Sequence, residues 1–132
     1  MTVQRLDHVN IVTAKLAETE AWFAELLGLE ARDGPREGMR WLYAPSGLAV
    51  LHLNKPECWQ QHDPDIADRT ADHSAAGALH HVAFLCTGLE EVLGRLESLG
   101  AEYRINRPNP RLTQVFTRDP NNVLVELGFL PE

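Results

Sequence analysis

Two short stretches of the chain place a histidine at the same position of similar apolar runs. LDHVNI spans residues 6–11 and LHHVAF spans residues 79–84, so His8 and His81 each stand third after a leading leucine. A hydrophobic core gains little from an imidazole, which needs hydrogen-bond partners when it is buried. Neutral imidazole is a common ligand of divalent metals, so the repeated histidine indicates a metal site.

A second polar pair stands in the runs AVLHLN (49–54) and VLVELGF (123–129). Their period of two places His52 and Glu126 on the face opposite the apolar residues. An unpaired buried carboxylate is costly, so Glu126 in such a run favours a binding role. Imidazoles with one carboxylate suit Zn²⁺, Ni²⁺, Co²⁺, Mn²⁺ or Fe²⁺. The pattern predicts one divalent metal with four ligands: His8, His52, His81 and Glu126.

The elements that must position these ligands also repeat. Residues 6–32 and 79–104 each show an apolar strand, then apolar residues at helical spacing, then a glycine where the helix should end. Turn residues separate two extended runs in 39–54 and again in 112–129, which predicts a hairpin in each half. A curved sheet built from two such halves would bring the four ligands to one cavity.

Candidate substrate contacts stand near the predicted ligands. Asn10 follows His8 on the same face of its strand, and Arg111, Gln114 and Phe116 precede the last hairpin turn. An arginine there can bind a substrate carboxylate through two hydrogen bonds. His80 occupies the position of Asp7 in the repeat and is expected on the face opposite His81, with a rim or hydrogen-bonding role rather than a ligand role. Arginines cluster in this region, where they either bind a small anion or form a solvated edge: Arg104, Arg107, Arg111 and Arg118.

Length, charge and composition limit the class of protein. The 132 residues fit one domain or two fused half-domains. The net charge of −7 and a pI of about 5.3 do not indicate the basic surface that nucleic-acid-binding proteins use. No run approaches the roughly 20 apolar residues that cross a bilayer, and the N-terminus lacks a secretory signal. We expect a cytoplasmic protein that binds neither nucleic acid nor membranes.

The paired LDHV and LHHV strands, the repeated halves and the closing TRDPNNVLVELGF (117–129) resemble the vicinal oxygen chelate superfamily. That superfamily includes glyoxalases, methylmalonyl-CoA epimerases, extradiol dioxygenases, and fosfomycin- and bleomycin-resistance proteins. The resemblance covers nearly the whole chain apart from 55–78. It departs at Asn122, where glycine is commoner, although asparagine also tolerates the left-handed conformation.

The resemblance implies an α+β fold in which two tandem βαβββ modules form a curled mixed sheet around a metal site. Residues 1–132 would be a single domain, with modules at 1–54 and 78–132 and a linker or arm at 55–77. It implies that all four candidate residues are metal ligands, although glyoxalases tend to carry Glu, and epimerases Gln, where this chain has His52. It also implies a homodimer, with the metal site built within one chain or shared between two.

Open positions on such a metal would take a small substrate with vicinal oxygens and stabilise negative charge that develops on oxygen. With Glu126 as the catalytic general base, proton removal beside a carbonyl gives an enediolate, hence lyase, isomerase or epimerase chemistry. Two enzymatic alternatives stay open, an extradiol-type Fe(II) dioxygenase and addition to an antibiotic epoxide. A third alternative is a non-enzymatic antibiotic- or ligand-sequestering protein of the bleomycin-resistance type, with an aromatic groove. Trp22 and Trp41, however, are assigned to the core.

Overall fold

Within the described residues, each half of the chain forms one four-stranded sheet and one α-helix. A computed structural model describes residues 2–59 and 79–132. The chain divides into two compact units, Met1–His73 and Ser74–Glu132, and each unit has its own sheet and its own core. The predicted linker 55–77 begins with a short 3-10 helix, Pro56–Trp59, and the rest of it lies outside the described residues.

The N-terminal unit has its strands in the order β1-β4-β3-β2. Strand β1 runs parallel to β4, and the other neighbours are antiparallel. Parallel pairing of β1 with β4 is possible because a long connection that includes the helix separates them, whereas a hairpin turn joins only antiparallel strands. The elements of this unit are β1 (Val9–Val12), α1 (Leu16–Leu27), β2 (Glu30–Asp33), β3 (Met39–Tyr43) and β4 (Ala49–Asn54).

The C-terminal unit repeats this arrangement in the order β5-β8-β7-β6, with β5 parallel to β8. Its two other strand pairs are antiparallel. The elements are β5 (Val82–Cys86), α2 (Leu89–Ser98), β6 (Tyr103–Asn109), β7 (Leu112–Arg118) and β8 (Leu124–Phe129). The predicted α+β fold of two tandem βαβββ modules is therefore confirmed.

One face of each sheet holds the core. In the N-terminal unit, Phe23 and Leu26 of α1 are fully buried, and α1 packs on β3 and β4. Leu51 and Leu53 of β4 are also fully buried and alternate with His52, which is only half-buried. The apolar alternation thus leaves the opposite face of each sheet to polar side chains.

None of the helices in the described residues is both long and apolar enough to span a membrane.

The closing turn between β7 and β8 depends on Asp119. Its Oδ1 accepts hydrogen bonds from the backbone N–H groups of Asn121 (2.9 Å) and Val123 (2.8 Å). Asn122 adopts the left-handed conformation, with φ of 66°. Asparagine is among the few residues other than glycine that adopt this conformation readily. The departure from glycine at this position therefore keeps the turn.

Candidate metal centre

The first pair of predicted ligands, His8 and His52, lies in the N-terminal unit. Their rings are stacked with centroids 3.7 Å apart and planes inclined by 13°. The indole of Trp41, the neighbour of His52 across β3 and β4, also stacks on His52, at 4.1 Å and 10°. His52 therefore lies between two rings. Trp41 is half-buried on this polar face, unlike the core residue that was predicted, whereas Trp22 is buried as predicted.

The residue before His8 fixes the orientation of its ring. His8 Nδ1 lies 2.8 Å from Asp7 Oδ2, and His8 stands one residue before β1 begins. This hydrogen bond, followed by that from Arg5, holds the pKa of the Asp7 carboxyl below its usual value. A carboxylate on one ring nitrogen of a ligating histidine fixes the tautomer and leaves the other nitrogen for the metal. His8 Nε2 is therefore the ring nitrogen available to bind a metal.

His52 favours the neutral form that a metal requires. Burial lowers the pKa of His52, and repulsion from His8 lowers it further. Metal ligation by histidine needs a ring nitrogen without its proton. Burial of His52 thus favours the neutral state that could bind a cation.

The second pair, His81 and Glu126, lies in the C-terminal unit. His81 Nε2 lies 3.0 Å from Glu126 Oε2. Only 15% of the Glu126 side chain is exposed, compared with 36% for His81. Strand pairing places Glu126 beside Ala83 on β5 and beside Phe116 on β7. A nearly buried carboxylate thus faces an imidazole on the polar side of this sheet.

Hydrogen bonds on both sides hold the second pair in place. His81 Nδ1 lies 2.9 Å from the Nδ1 of His80, which confirms a hydrogen-bonding role for His80. On the other side, Gln114 Nε2 donates to Glu126 Oε1 at 2.6 Å. The Gln114 carbonyl in turn accepts a hydrogen bond from Asn106 Nδ2 at 2.8 Å. These hydrogen bonds fix one nitrogen of His81 and one oxygen of Glu126. The remaining two atoms, His81 Nε2 and Glu126 Oε2, face each other.

The two units hold their first-strand histidines in the same way. In each unit the residue immediately before the histidine, Asp7 or His80, contacts its Nδ1. In the sequence, the residues in second place of LDHV and LHHV, Asp7 and His80, already indicated such a hydrogen-bonding position. No sequence pattern indicated the hydrogen bond from Gln114 to Glu126, because these two residues lie on different strands.

The predicted substrate contacts lie in different places. Asn10 is the neighbour of His52 across β1 and β4, and its Oδ1 accepts a hydrogen bond from Asn54 Nδ2. The ring of Phe116 is edge-on to His81, with centroids 6.4 Å apart. Arg111 lies in the turn between β6 and β7 and lines a hollow of about 550 Å³ that also includes Glu132. Asn10 and Phe116 therefore adjoin the candidate ligands of their units, and Arg111 lines a separate hollow.

The candidate ligands occur as pairs. Within residues 2–59 and 79–132, no three His, Cys, Asp or Glu side chains form a group that could hold a metal ion. Each pair offers two donors, fewer than the three or four protein ligands usual for zinc. The donor set of three imidazoles and one carboxylate fits a divalent transition metal in its chemistry.

The sequence matches one protein-family model. Residues 7–113 match the model described as the Glyoxalase/Bleomycin resistance protein/Dioxygenase superfamily. This range contains three of the four candidate ligands, and Glu126 lies beyond it. None of the curated proteins compared with the chain matches it significantly.

Solved structures share the fold at low sequence identity. A putative glyoxalase family protein from Bacillus anthracis has a TM-score of 0.70 and 21% identity, over 99% of this chain and 98% of that one. A fosfomycin resistance protein from Listeria monocytogenes has a TM-score of 0.70 and 17% identity, over 98% and 94%. A lactoylglutathione lyase from Agrobacterium tumefaciens has a TM-score of 0.69 and 19% identity, over 97% and 95%. These similarities extend over nearly the full length of each chain.

Proposed function

The chain belongs to the Glyoxalase/Bleomycin resistance protein/Dioxygenase superfamily, and we propose that it is a divalent-metal-dependent enzyme acting on a small substrate with vicinal oxygens. The observation that carries this proposal is the second pair. Glu126 is largely buried and faces His81 Nε2 at 3.0 Å, while Gln114 holds its other oxygen. Such support of a ligand by outer hydrogen bonds is typical of metal sites.

Both pairs are needed for a complete ligand set. The pairs would come from one chain or from two copies of a homodimer. When bound, the metal would act as a Lewis acid toward the substrate oxygens. The ion would be Zn²⁺, Ni²⁺, Co²⁺, Mn²⁺ or Fe²⁺, held by His8, His52, His81 and Glu126.

Glu126 is the proposed catalytic base. Its Oε2 is the oxygen that Gln114 does not contact, so after leaving the metal it would take a proton from a substrate carbon beside a carbonyl. Burial of the carboxylate excludes most water from this oxygen, and the amide of Gln114 keeps its orientation. Phe116 supplies an apolar wall beside His81. This chemistry is that of a lyase, an isomerase or an epimerase.

Metal content, measured by elemental analysis on protein purified without an affinity tag, tests the proposal. We expect the native chain to carry an equimolar divalent metal and Glu126→Gln to lose most of it, since a neutral amide is a poor replacement for a ligating carboxylate. Glu90→Gln is the matched control, because it removes the same charge from an exposed position on α2 and should keep the metal. A native chain that binds none of the five ions, even in excess, would overturn the proposal.

The identity of the bound metal then selects the reaction. Iron would favour the extradiol-type dioxygenase, because two histidines and one carboxylate form the site of many non-haem iron oxygenases. Zinc, nickel, cobalt or manganese would favour the lyase or isomerase. A chain that binds no metal would instead support the non-enzymatic sequestering protein.

A further inference from the structure

A cleft of about 1050 Å³ opens on the C-terminal unit beside the second pair. His80, Phe116 and Leu124 form part of its wall, together with Arg104 and Arg118. His80 also shares a hydrogen bond with His81, so one wall of the cleft directly contacts a candidate ligand. The proposed function does not use the two arginines.

Strand register places both arginines on the face that carries Glu126. Arg104 is the neighbour of Phe116 across β6 and β7, and Phe116 is the neighbour of Glu126 across β7 and β8. Directly paired residues in an antiparallel sheet share a face. Arg118 lies two residues after Phe116 and pairs with Leu124, so it belongs to the same face. The guanidinium groups thus flank an apolar surface next to the candidate catalytic base.

The side chains of both arginines lack a carboxylate partner in the part of the chain that the structure describes. Arg104 makes neither an ion pair nor a hydrogen bond there, and Arg118 donates only to the backbone carbonyl of Asn122, at 3.0 Å. Glu102 also lines the cleft, but it forms no ion pair with either arginine. Elsewhere in the chain arginines do pair with carboxylates, as Arg40 does with Glu20 at 2.6 Å.

Both guanidinium groups are therefore available to an anionic ligand, although the chain as a whole has 19 acidic and 12 basic residues. Arginine binds carboxylate and phosphate groups through charge-assisted, often bidentate hydrogen bonds. The adjoining surface of Phe116 and Leu124 can accept an apolar group from the same molecule. The cleft therefore combines two features that select a small organic anion.

We propose that this cleft binds the anionic end of the substrate, so that the substrate is a small organic acid with a carboxylate or phosphate-type group held by Arg104 and Arg118 and an apolar part on Phe116. This inference rests on the proposed function, because it orients the substrate toward Glu126. The anion itself needs only the two arginines, so its binding is measurable without metal. The inference names a substrate class for the site.

Calorimetric titration of the metal-free protein in excess chelator tests the inference, with phenylphosphonate, phenylacetate and uncharged phenylacetamide as probes. We expect one or both acids to bind and the amide not to bind. Arg104→Gln and Arg118→Gln should each weaken binding about tenfold, the loss of one charge-assisted interaction. Both residues are exposed, so the variants should fold, and circular dichroism checks this.

Arg107→Gln is the matched control, because Arg107 is also an exposed arginine of β6 but does not line the cleft. Binding of neither acid, equal binding of phenylacetamide, or an equal loss in Arg107→Gln would each overturn the inference. A preference for phenylphosphonate assigns a phosphate-type group, and a preference for phenylacetate assigns a carboxylate. Loss of metal in Glu126→Gln is a separate measurement, so the function and the anion site can fail independently.

Discussion

Hydrogen bonds from neighbouring side chains distinguish three of the four candidate ligands from ordinary polar residues on a strand. Asp7 and His80 fix one nitrogen of His8 and of His81, and Gln114 fixes one oxygen of Glu126. In each case the atom that remains is the one a cation would use. Ligands oriented in this way bind a metal with less loss of conformational freedom.

Replacement of Gln114 tests this support. Gln114→Met removes the 2.6 Å hydrogen bond to Glu126 but keeps a side chain of similar length. We expect metal affinity to fall about 10- to 100-fold, as is usual when an outer hydrogen-bond partner of a ligand is lost. Competition with a chelator of known affinity measures the change.

The control for this experiment is Gln4→Met, at an exposed position before β1. It should leave metal affinity unchanged. Equal affinity in the two variants would show that Gln114 does not support the ligand, and Gln114 would then remain a predicted substrate contact.

At the scale of elements, the helix of each unit must end where the next strand begins. Gly28 and Gly100 follow α1 and α2, and both have φ of 65°. This left-handed conformation is unfavourable for residues with a Cβ atom. These glycines reverse the chain direction and thereby set the start of β2 and β6.

Two glycines of the C-terminal unit are expected to respond to alanine with opposite signs. Gly94 lies in the exposed interior of α2, and a Cβ there would meet no atom within 4 Å. Gly94→Ala should raise the free energy of unfolding by about 1 kcal/mol, because alanine favours the helix. Gly100→Ala should lower it by about 1 kcal/mol, because a left-handed alanine is strained.

Urea unfolding of the two variants measures both changes. A Cβ at Gly100 would also have open space around it, so its expected cost comes from backbone conformation rather than from a clash. Stabilisation by Gly100→Ala would contradict the assignment of this glycine as the helix end.

At the scale of the whole molecule, we propose a homodimer. Strands β1 and β5 each stand at the edge of a sheet, and the side chain of Leu85 on β5 is 75% exposed. An edge strand with an exposed apolar residue is a common place for another strand or chain to associate. Leu85 lies on the same face as Ala83, the neighbour of Glu126.

Light scattering of the metal-loaded protein should give twice the 14.8 kDa mass of the chain. Leu85→Lys should shift the protein toward monomer, because a lysine on an edge strand opposes association. Val3→Lys, at a position that is 92% exposed before β1, is the control and should leave the dimer intact. A monomer at all concentrations, or a dimer unaffected by Leu85→Lys, would refute this interface.

The sequence alone determined the features that depend on local pattern. Alternation along β4 and β8 placed His52 and Glu126 opposite the buried leucines, and the glycines marked the helix ends. It did not reveal β2 and β6, which only the family resemblance implied. Their residues are mostly polar and exposed, as in EARD (30–33), so they lack the apolar period that identifies a strand.

Only the tertiary structure decided which polar side chains meet. Contact between Gln114 and Glu126 depends on the register of β7 against β8, and contact between Asn106 and Gln114 depends on the register of β6 against β7. Trp41 stacks on His52 because β3 and β4 align the two residues, whereas the sequence predicted a core position for Trp41 from its large aromatic side chain. Register results from turn geometry and from packing of the whole sheet, so no single strand sequence specifies it.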